Sequence, residues 1–218
     1  PGNAKLIEKI WYRKASVICE VGQSQTIFSI PNKRSDSEPL KIVWSGQHTS
    51  GKNLPLLLNS IKNSTFPYEL HILGKGEMSK QWQKRSEEYG VSHHCHWHGW
   101  LERKRAISIA KTGHVFCITS IKDLTSTVTL EALSLGLPIV CLDHCGFAHV
   151  VTEKCGIKIP VNTPREAAIN IRVALEKLYN DETLRQCLSK GAIKRAADFK
   201  WDKKIEELNT IYCSLLTH

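Results

Sequence analysis

Strand-length apolar runs alternate with helical stripes from Lys41 onward, and this alternation constrains the fold more than any other feature of the sequence. Each run is short enough for a buried strand and is followed by apolar residues at helical spacing, as at 54–61. Strands that alternate with helices of this length form parallel sheets covered on both faces. We therefore predict an α/β fold with a doubly wound parallel sheet. The predicted strands are 42–45, 69–73, 95–97, 115–118 and 138–142.

Both ends of the sequence depart from this alternation. Residues 1–40 begin with a mixed pattern, read as a helix followed by a strand, and end with a polar stretch between Pro31 and Pro39 that is typical of a linker. After residue 160, three helical stripes follow one another without an intervening strand. We therefore expect a separate N-terminal segment and a closing group of three helices.

Residues 122–143 hold two acidic residues, Asp123 and Glu131, on either side of a predicted helix start. Hydroxyl side chains at 125–127 are typical helix caps, so we expect a helix to begin near residue 125. Its free backbone N–H groups would face the carboxyl edge of the sheet, where anions such as diphosphates bind. Glu131, about two turns into the helix, could then hold two vicinal hydroxyls. The alternative is an ordinary strand–helix unit with two solvated carboxylates.

A glycine loop follows the first predicted strand and contains Gly46, Gly51 and Lys52. Such a loop lets the backbone approach a phosphate, and the lysine adds a flexible positive charge that could neutralise a diphosphate. Gln47 could donate to the same oxygens but brings no charge. The alternative reading of Lys52 is a surface lysine near a helix N-terminus.

Three histidines alternate around the third predicted strand, at His94, His96 and His98. Alternation places them on one face of a strand, and three imidazoles on one face can bind zinc. Against a metal site, helices cover both faces of a strand in such a fold, and the sequence identifies no matching carboxylate. We therefore expect no metal ion.

The motifs occur in the order found in the retaining glycosyltransferases of family 4, and residues 41–215 resemble their C-terminal, donor-binding domain. That family has an acidic residue, seven further residues, Glu-Ala, and then Gly-x-Pro-Val and an Asp. This sequence has Asp123, Glu131-Ala132, Gly-Leu-Pro-Ile at 136–139, and Asp143. The match in order along most of the sequence is more specific than any single motif.

Two departures from the family pattern fall on the predicted ligand-binding loops. The family places arginine directly after the loop glycine, where this sequence has Gln47, while Lys52 keeps its place. The first acidic residue is followed by Leu124, Thr125 and Ser126 rather than by Gly-Phe-Gly. Hydroxyls would then replace part of the close-approaching backbone as donors to phosphate.

The resemblance implies the C-terminal half of a GT-B fold, with a Rossmann-like, doubly wound sheet. It divides the sequence into 1–40, an interdomain segment with a remnant of the N-terminal acceptor domain, and 41–218, the nucleotide-sugar donor-binding domain. Complete members have two Rossmann-like domains with the active site between them, and 218 residues suffice for one domain and an extension. We therefore expect the acceptor domain to lie outside this sequence, and these residues alone to be inactive.

The resemblance also implies a function, which is transfer of a sugar with retention from a UDP-, GDP- or ADP-linked donor to a glycan or lipid-linked acceptor in surface polysaccharide biosynthesis. Lys52 would stabilise the diphosphate, Asp123 would bind hydroxyls of the sugar, and Glu131 would bind those of the ribose. No metal cofactor is implied, because lysine and a helix terminus take its place. The other residues expected to bind the donor are Gly46, Gln47, Trp100, Leu101, Leu124, Thr125, Ser126 and Thr127.

Trp100 admits two readings, since it follows the strand after which the family holds the nucleobase. Its indole could stack on the base or could cap the sheet. Two other functions also stay open for the whole chain. Gln47 and the lost glycines could mark a decayed site in a noncatalytic nucleotide- or carbohydrate-binding module. A sugar-nucleotide epimerase shares the GT-B architecture, although the register from Glu131 to Pro138 favours transfer.

The composition favours an intracellular domain. The eight cysteines lack the spacing of a disulfide framework, so we expect reduced thiols and a cytoplasmic location. The formal net charge of +9 suits an anionic small molecule, and it leaves open peripheral contact with the inner face of a membrane. The basic residues are spread along the sequence without a nucleic-acid-binding motif, so we expect no nucleic-acid partner. No apolar run reaches the roughly 18 residues of a membrane-spanning helix.

Overall fold

A six-stranded parallel β-sheet organises the structure, which is a computed structural model. The structure describes residues 2–12, 14–16, 18–23, 33–35, 37–123 and 127–216. The strands are β1 (Leu40–Ser45), β2 (Tyr68–Leu73), β3 (Cys95–Gly99), β4 (Val115–Ile118), β5 (Ile139–Leu142) and β6 (Gly156–Ile159). They lie in the order β3-β2-β1-β4-β5-β6, and every neighbouring pair is parallel. The predicted Rossmann-like fold class is confirmed.

Helices connect the strands and close the chain. They are α1 (Gly2–Trp11), α2 (Leu54–Ile61), α3 (Ser79–Glu88), α4 (Arg103–Ala110), α5 (Thr127–Ser134), α6 (Phe147–Val150), α7 (Pro164–Asn180), α8 (Glu182–Ala196) and α9 (Trp201–Leu216). Short 3-10 helices lie at Ser50–Lys52, Ser92–His94 and Ala197–Phe199. Within the described parts of the chain, none of the helices combines the length and apolar character needed to cross a membrane.

Both faces of the sheet are covered. On one face α2 packs against α3 and α7, and on the other α5 packs against α8 while α4 contacts β2. The chain leaves β1 toward β2 and β3 and later returns to β4 on the opposite side of β1. A crevice opens at such a switch point, outside the carboxyl ends of the strands, and this is where ligands bind in open α/β sheets.

The closing helices form where the sequence supplies caps. Thr163 accepts a hydrogen bond from the Glu166 backbone N–H at 3.2 Å, and Pro164 occupies the first turn of α7. Asp181 accepts from the Leu184 N–H at 2.8 Å and so starts α8 directly after α7 ends. These caps explain why α7 and α8 begin where they do.

The sixth strand is the part of the sheet that the sequence did not predict. β6 is only four residues long, and its middle residues Ile157 and Lys158 are partly exposed because it lies at the edge of the sheet. A side chain at Gly156 would meet the Ile139 carbonyl oxygen, so glycine allows β6 to approach β5 closely. A short strand with a glycine and a lysine carries little apolar signal.

Residues ahead of β1 pack against the start of α9. The Gln23 N–H donates to the Phe199 carbonyl at 2.8 Å, and the Trp201 N–H donates to the Gln23 carbonyl at 3.2 Å. Lys204 donates to the Cys19 carbonyl, and its side chain is buried. The helix expected near the N-terminus is present as α1. In place of the expected strand, the described residues contain a single bridge between Gln23 and Lys200.

A buried histidine joins β1 to the start of β4 and to α8. His114 is 4% exposed, its Nδ1 accepts from the Lys41 N–H at 3.1 Å, and its carbonyl accepts from Arg185 at 3.4 Å. Arg185 is itself fully buried and is paired with Glu182 at 2.6 Å. Burial, and then the positive charge of Arg185, lowers the pKa of His114 to about 4. His114 is therefore neutral in the folded chain at neutral pH.

Candidate functional site

A cleft of about 460 Å³ opens at the carboxyl ends of β1, β2 and β3. A smaller cavity of about 30 Å³ adjoins it between α4 and α5, and the walls of this cavity include Glu131. The structure thus brings loops from three strands together at the switch point of the sheet. The residues that line the larger cleft are Ser45, Gly46, Gln47, Leu73, Gly74, Lys75, Trp100, Leu101 and Ala106.

The floor of the cleft is built from glycine backbones in direct contact. The Gly46 N–H donates to the Leu73 carbonyl at 3.0 Å, and the Gly74 N–H donates to the Gly99 carbonyl at 2.8 Å. Gly74 has a φ of +119°, and a side chain there would overlap the carbonyl oxygen of Gly46. Glycine is therefore required at this position, both for its conformation and for the approach of the two loops.

Lys52 forms an ion pair with Asp123, and both side chains are largely shielded from solvent, with 23% and 17% exposed. A side chain at Gly46 would lie 3.7 Å from Lys52 Cδ, so the lysine stem runs beside the cleft floor. The Lys52 carbonyl accepts from the Thr119 hydroxyl at 3.0 Å, and that hydroxyl accepts from Trp44 Nε1 at 3.1 Å. The buried Trp44 and Thr119 thus fix the backbone that carries the lysine.

Glu131 lies on α5 and pairs with Arg103 at the start of α4. Arg103 Nε donates to Glu131 Oε1 at 2.7 Å, and the arginine side chain is 72% exposed while the glutamate is 27% exposed. An exposed ion pair of this kind contributes about 0–1 kcal/mol, so a ligand can displace the arginine at little cost.

Trp100 lies at the mouth of the cleft with 65% of its surface exposed. Of the two readings of this side chain, exposure beside the cleft favours one in which the indole is available to stack on a ligand. Leu101 lines the same wall, while Thr127 is exposed at the first turn of α5. Leu124, Thr125 and Ser126 lie outside the described residues.

Sequence reasoning missed several residues that support the loops. His48 is 2% exposed, its ring lies among Trp44, Trp82 and Trp97, and its Nδ1 is 2.8 Å from the Ser79 hydroxyl. Burial lowers the pKa of His48, so the ring is neutral. Its backbone binds the loop after β2, with the N–H donating to the Lys75 carbonyl at 3.1 Å. No periodicity in the sequence identifies a histidine in a loop as buried.

Two other residues beside the site also went unpredicted. Arg103 stands in a basic cluster at 103–105 that was visible in the sequence, but its partner Glu131 is 28 residues away. Cys145 has a positive φ of 60°, and burial raises the pKa of its thiol. The contact of Arg103 and the burial of Cys145 both depend on how the fold brings distant segments together.

Known proteins resemble this chain in sequence. The family model for glycosyl transferases group 1 matches residues 26–195. WcaL of Escherichia coli (strain K12), a glycosyltransferase assigned to colanic acid biosynthesis, is 22% identical over 180 residues, which cover 78% of this chain and 44% of that protein. Lipopolysaccharide 1,6-galactosyltransferase of Salmonella typhimurium (strain LT2) is 25% identical over 130 residues, covering 59% of this chain and 36% of that protein. The chain spans less than half the length of these relatives.

Solved structures share the fold at lower identity. The apo form of the lipopolysaccharide outer core galactosyltransferase WaaB has a TM-score of 0.75 at 20% identity, over 95% of this chain and 59% of that one. Anabaena Alr3699/HepE in complex with UDP has a TM-score of 0.68 at 13% identity, over 82% of this chain and 50% of that one. The family match covers more than half of the sequence, and the chain belongs to the glycosyl transferases group 1 family.

Proposed function

We propose that this chain is the donor-binding part of a retaining glycosyltransferase of family 4, which transfers sugar from a nucleotide sugar to a glycan or lipid-linked acceptor in surface polysaccharide biosynthesis. The observation that carries the proposal is the cleft at the ends of β1–β3. The backbone of Gly46 and Gly74 and the exposed Trp100 line this cleft, and Lys52 lies beside it. The names of WcaL and of the lipopolysaccharide galactosyltransferase support the pathway, and the UDP complex of HepE supports the class of donor.

The diphosphate of the donor would lie against the loop from Gly46 to Lys52. Glycine at 46 and 51 would let its oxygens approach the loop closely, and Lys52 would supply positive charge as the bond from sugar to phosphate breaks. Asp123 then exchanges part of its ion pair with Lys52 for hydroxyls of the transferred sugar. Lys52 would be held in place before the donor arrives, because its backbone is fixed by Thr119.

The nucleoside would occupy the side of the cleft formed by α4 and α5. Glu131 exchanges Arg103 for the two ribose hydroxyls, and the exposed indole of Trp100 stacks on the base. No metal ion takes part in this scheme. The acceptor hydroxyl would attack from the face that the leaving group departs from, and groups that orient it belong to an N-terminal domain outside this sequence. We place this reaction in the cytoplasm, at the inner face of the membrane.

A calorimetric screen tests the proposal. The protein is titrated with UDP, GDP and ADP, with the three nucleosides, and with the corresponding nucleotide sugars. We expect one diphosphate to bind more tightly than its nucleoside, and no transfer by these 218 residues alone. If none of these nucleotides binds, the donor-site assignment is wrong. If the 218 residues alone transfer sugar, the assignment of the acceptor groups to another domain is wrong.

A noncatalytic nucleotide-binding module is the second candidate, and one observation favours it. Gln47, which lines the cleft, brings no charge to the phosphate position, and the nearby Lys52 is already paired with Asp123. The positive charge available to bind a diphosphate is therefore smaller than the presence of a lysine in the glycine loop suggests. Turnover of a nucleotide sugar by the full-length protein separates the candidates, because a sensing module would bind the donor without consuming it.

A further inference from the structure

Four titratable side chains from two neighbouring strands share one face of the sheet, away from the donor cleft. Glu69 and His71 alternate along β2, and His96 and His98 alternate along β3. His71 and His96 are register partners, and their rings stack with centroids 4.8 Å apart. None of the four lines the cleft at the ends of the strands. The proposed transfer reaction therefore leaves this cluster without a role.

His71 holds the centre of the cluster. Its Nδ1 lies 3.1 Å from His98 Nε2, which is a hydrogen bond between the two rings. Its other ring nitrogen, Nε2, is buried, makes no hydrogen bond to any described residue, and lies 3.5 Å from Glu69 Oε2. One ligand atom from each of Glu69, His71 and His96 lies within 4.8 Å of the others. A buried ring nitrogen therefore faces a carboxylate, and a third possible ligand atom lies within 4.8 Å of both.

The spacing of these atoms fits two ligands on one ion better than a hydrogen bond. The separation of 3.5 Å between His71 Nε2 and Glu69 Oε2 exceeds the roughly 2.7–3.2 Å of an N–H···O bond. Bonds of about 2.0–2.2 Å from tetrahedral zinc to nitrogen and oxygen place neighbouring ligand atoms about 3.3–3.5 Å apart. The hydrogen bond to His98 would hold the His71 ring in the orientation that aims Nε2 at the ion, as a partner behind a metal ligand does.

We propose that Glu69, His71 and His96 bind one divalent transition-metal ion of the zinc class, with water in the fourth position and His98 as a positioning residue. Imidazole and carboxylate ligands suit zinc, cobalt and nickel, whereas magnesium and calcium prefer oxygen ligands. β3 is an edge strand and His96 is exposed, so the ion reaches the site from solvent. The ion would clamp β3 to β2, and its role is structural rather than catalytic.

The site differs from the arrangement that the sequence suggested. The alternation in the sequence groups His94 with His96 and His98, but His94 belongs to the 3-10 helix Ser92–His94, and its ring packs on Tyr68 with centroids 4.4 Å apart. The carboxylate and the third imidazole come instead from β2. Covering helices do not close the site, because His96 is exposed.

The test uses untagged protein, stripped with a chelator and titrated with zinc sulfate. We expect one equivalent of zinc to bind and to raise the melting temperature, and cobalt to give the intense visible absorption of tetrahedral coordination. His71→Asn and His96→Asn should abolish this site, and His98→Asn should weaken it by about 10–100-fold. His93→Asn is the matched control, because His93 lies in the same segment outside the ligand set, and it should bind as wild type does.

Circular dichroism of each zinc-free variant establishes that it is folded, so that loss of binding is not loss of structure. Zinc binding that is absent from the wild type, or equal in wild type and His71→Asn, overturns the proposal. So does an equal loss in His93→Asn, which would indicate diffuse binding by surface histidines. Nucleotide binding should be unchanged by zinc or by His71→Asn. Failure of the metal-site proposal would therefore leave the donor-cleft proposal standing, and the reverse is also true.

Discussion

Lys52 and Asp123, which are 71 residues apart in the sequence, form an ion pair that joins the loop after β1 to the loop after β4. The sequence predicts that the two residues bind different parts of a donor, and in the structure they bind each other. In the proposed function, a donor would replace one partner of each side chain, and the lysine would already be ordered before the donor binds.

Lys52→Ala should weaken binding of the nucleoside diphosphate by about 1.5–3 kcal/mol, the scale of a charged hydrogen bond, and should change binding of the nucleoside little. Only the diphosphate places negative charge near this loop. The difference should shrink as salt rises from about 0.1 M to about 1 M, because screening weakens a partly exposed interaction. Calorimetry at both salt concentrations measures it. An equal loss for nucleoside and diphosphate would mean that the loop is not a phosphate site.

Gln47→Arg should tighten diphosphate binding and partly offset the loss in Lys52→Ala. Gln47 is exposed and lines the cleft, so arginine can enter without displacing a packed neighbour. A guanidinium adds charge and a two-pronged donor for phosphate oxygens. The double variant, titrated beside both single variants, measures the compensation. Identical affinities in the wild type and Gln47→Arg would show that the side chain at 47 does not reach the phosphate.

Glu131→Gln should weaken binding of a ribonucleotide by roughly 1–3 kcal/mol and should have a smaller effect on the 2′-deoxyribonucleotide, which lacks one of the two hydroxyls. Arg103→Ala is the matched control. Its exposed ion pair contributes about 0–1 kcal/mol, so the change in nucleotide affinity should be less than about fivefold. Equal affinity of the wild type for ribose and deoxyribose forms would contradict the role of Glu131.

Gly74→Ala should destabilise the fold far more than Gly90→Ala. Both glycines have positive φ, +119° and +70°, so both substitutions incur backbone strain. At Gly90 no atom of the described residues lies within 4 Å of the added carbon, whereas at Gly74 the added carbon overlaps the carbonyl of Gly46. We expect a loss of about 1–2 kcal/mol at Gly90 and at least about 3 kcal/mol at Gly74. Urea denaturation of both variants measures the difference in stability. Equal losses of stability would contradict the close contact between the loops at Gly46 and Gly74.

His114 should make stability depend on pH on the acid side. Its pKa falls from 6.5 to about 4 on folding, so between these pH values the unfolded chain binds more protons than the folded chain. The stability that comes from keeping His114 neutral is complete above about pH 6.5 and is lost as the pH falls toward about 4, by up to about 3 kcal/mol. His114→Asn, whose side-chain oxygen can still accept from the Lys41 N–H, should lose less across this range.

Unfolding curves between pH 7 and pH 4 measure this dependence. His144→Asn is the matched control, because it makes the same substitution at an exposed histidine and leaves His114 in place. A wild-type slope that persists in His114→Asn would assign the acid sensitivity to other groups.

Most of the strands could be predicted, because the sequence of a buried parallel strand is a short run of apolar residues. β4 and β5 are buried along their whole length, and both were identified. β6 was missed because Gly156 and Lys158 interrupt its apolar character, and its place at the sheet edge leaves its centre partly exposed. A short apolar run in the sequence indicates a buried strand, and a strand at the edge of a sheet is less buried than a central one.

The acidic residues and glycines that lie in or beside the cleft stand out in the sequence, but the side chains that they contact do not. The spacing of Asp123 and Glu131 around a helix start is a local feature, and the glycine loop after β1 is another. Arg103 beside Glu131 and Glu69 beside His71 and His96 depend on which strands and helices become neighbours. Sequence spacing does not report these contacts, because the order β3-β2-β1-β4 brings together segments from separate units.

The contact between Gly46 and Gly74 also determines which substitutions the cleft tolerates. Because no side chain fits between the two loops, the shape of the floor depends on glycine at Gly74. Side chains on the rim, such as those of Gln47, Lys75 and Trp100, are exposed. Substitutions at the rim would therefore change the chemistry of the cleft wall, whereas a side chain at Gly74 would change the shape of the floor.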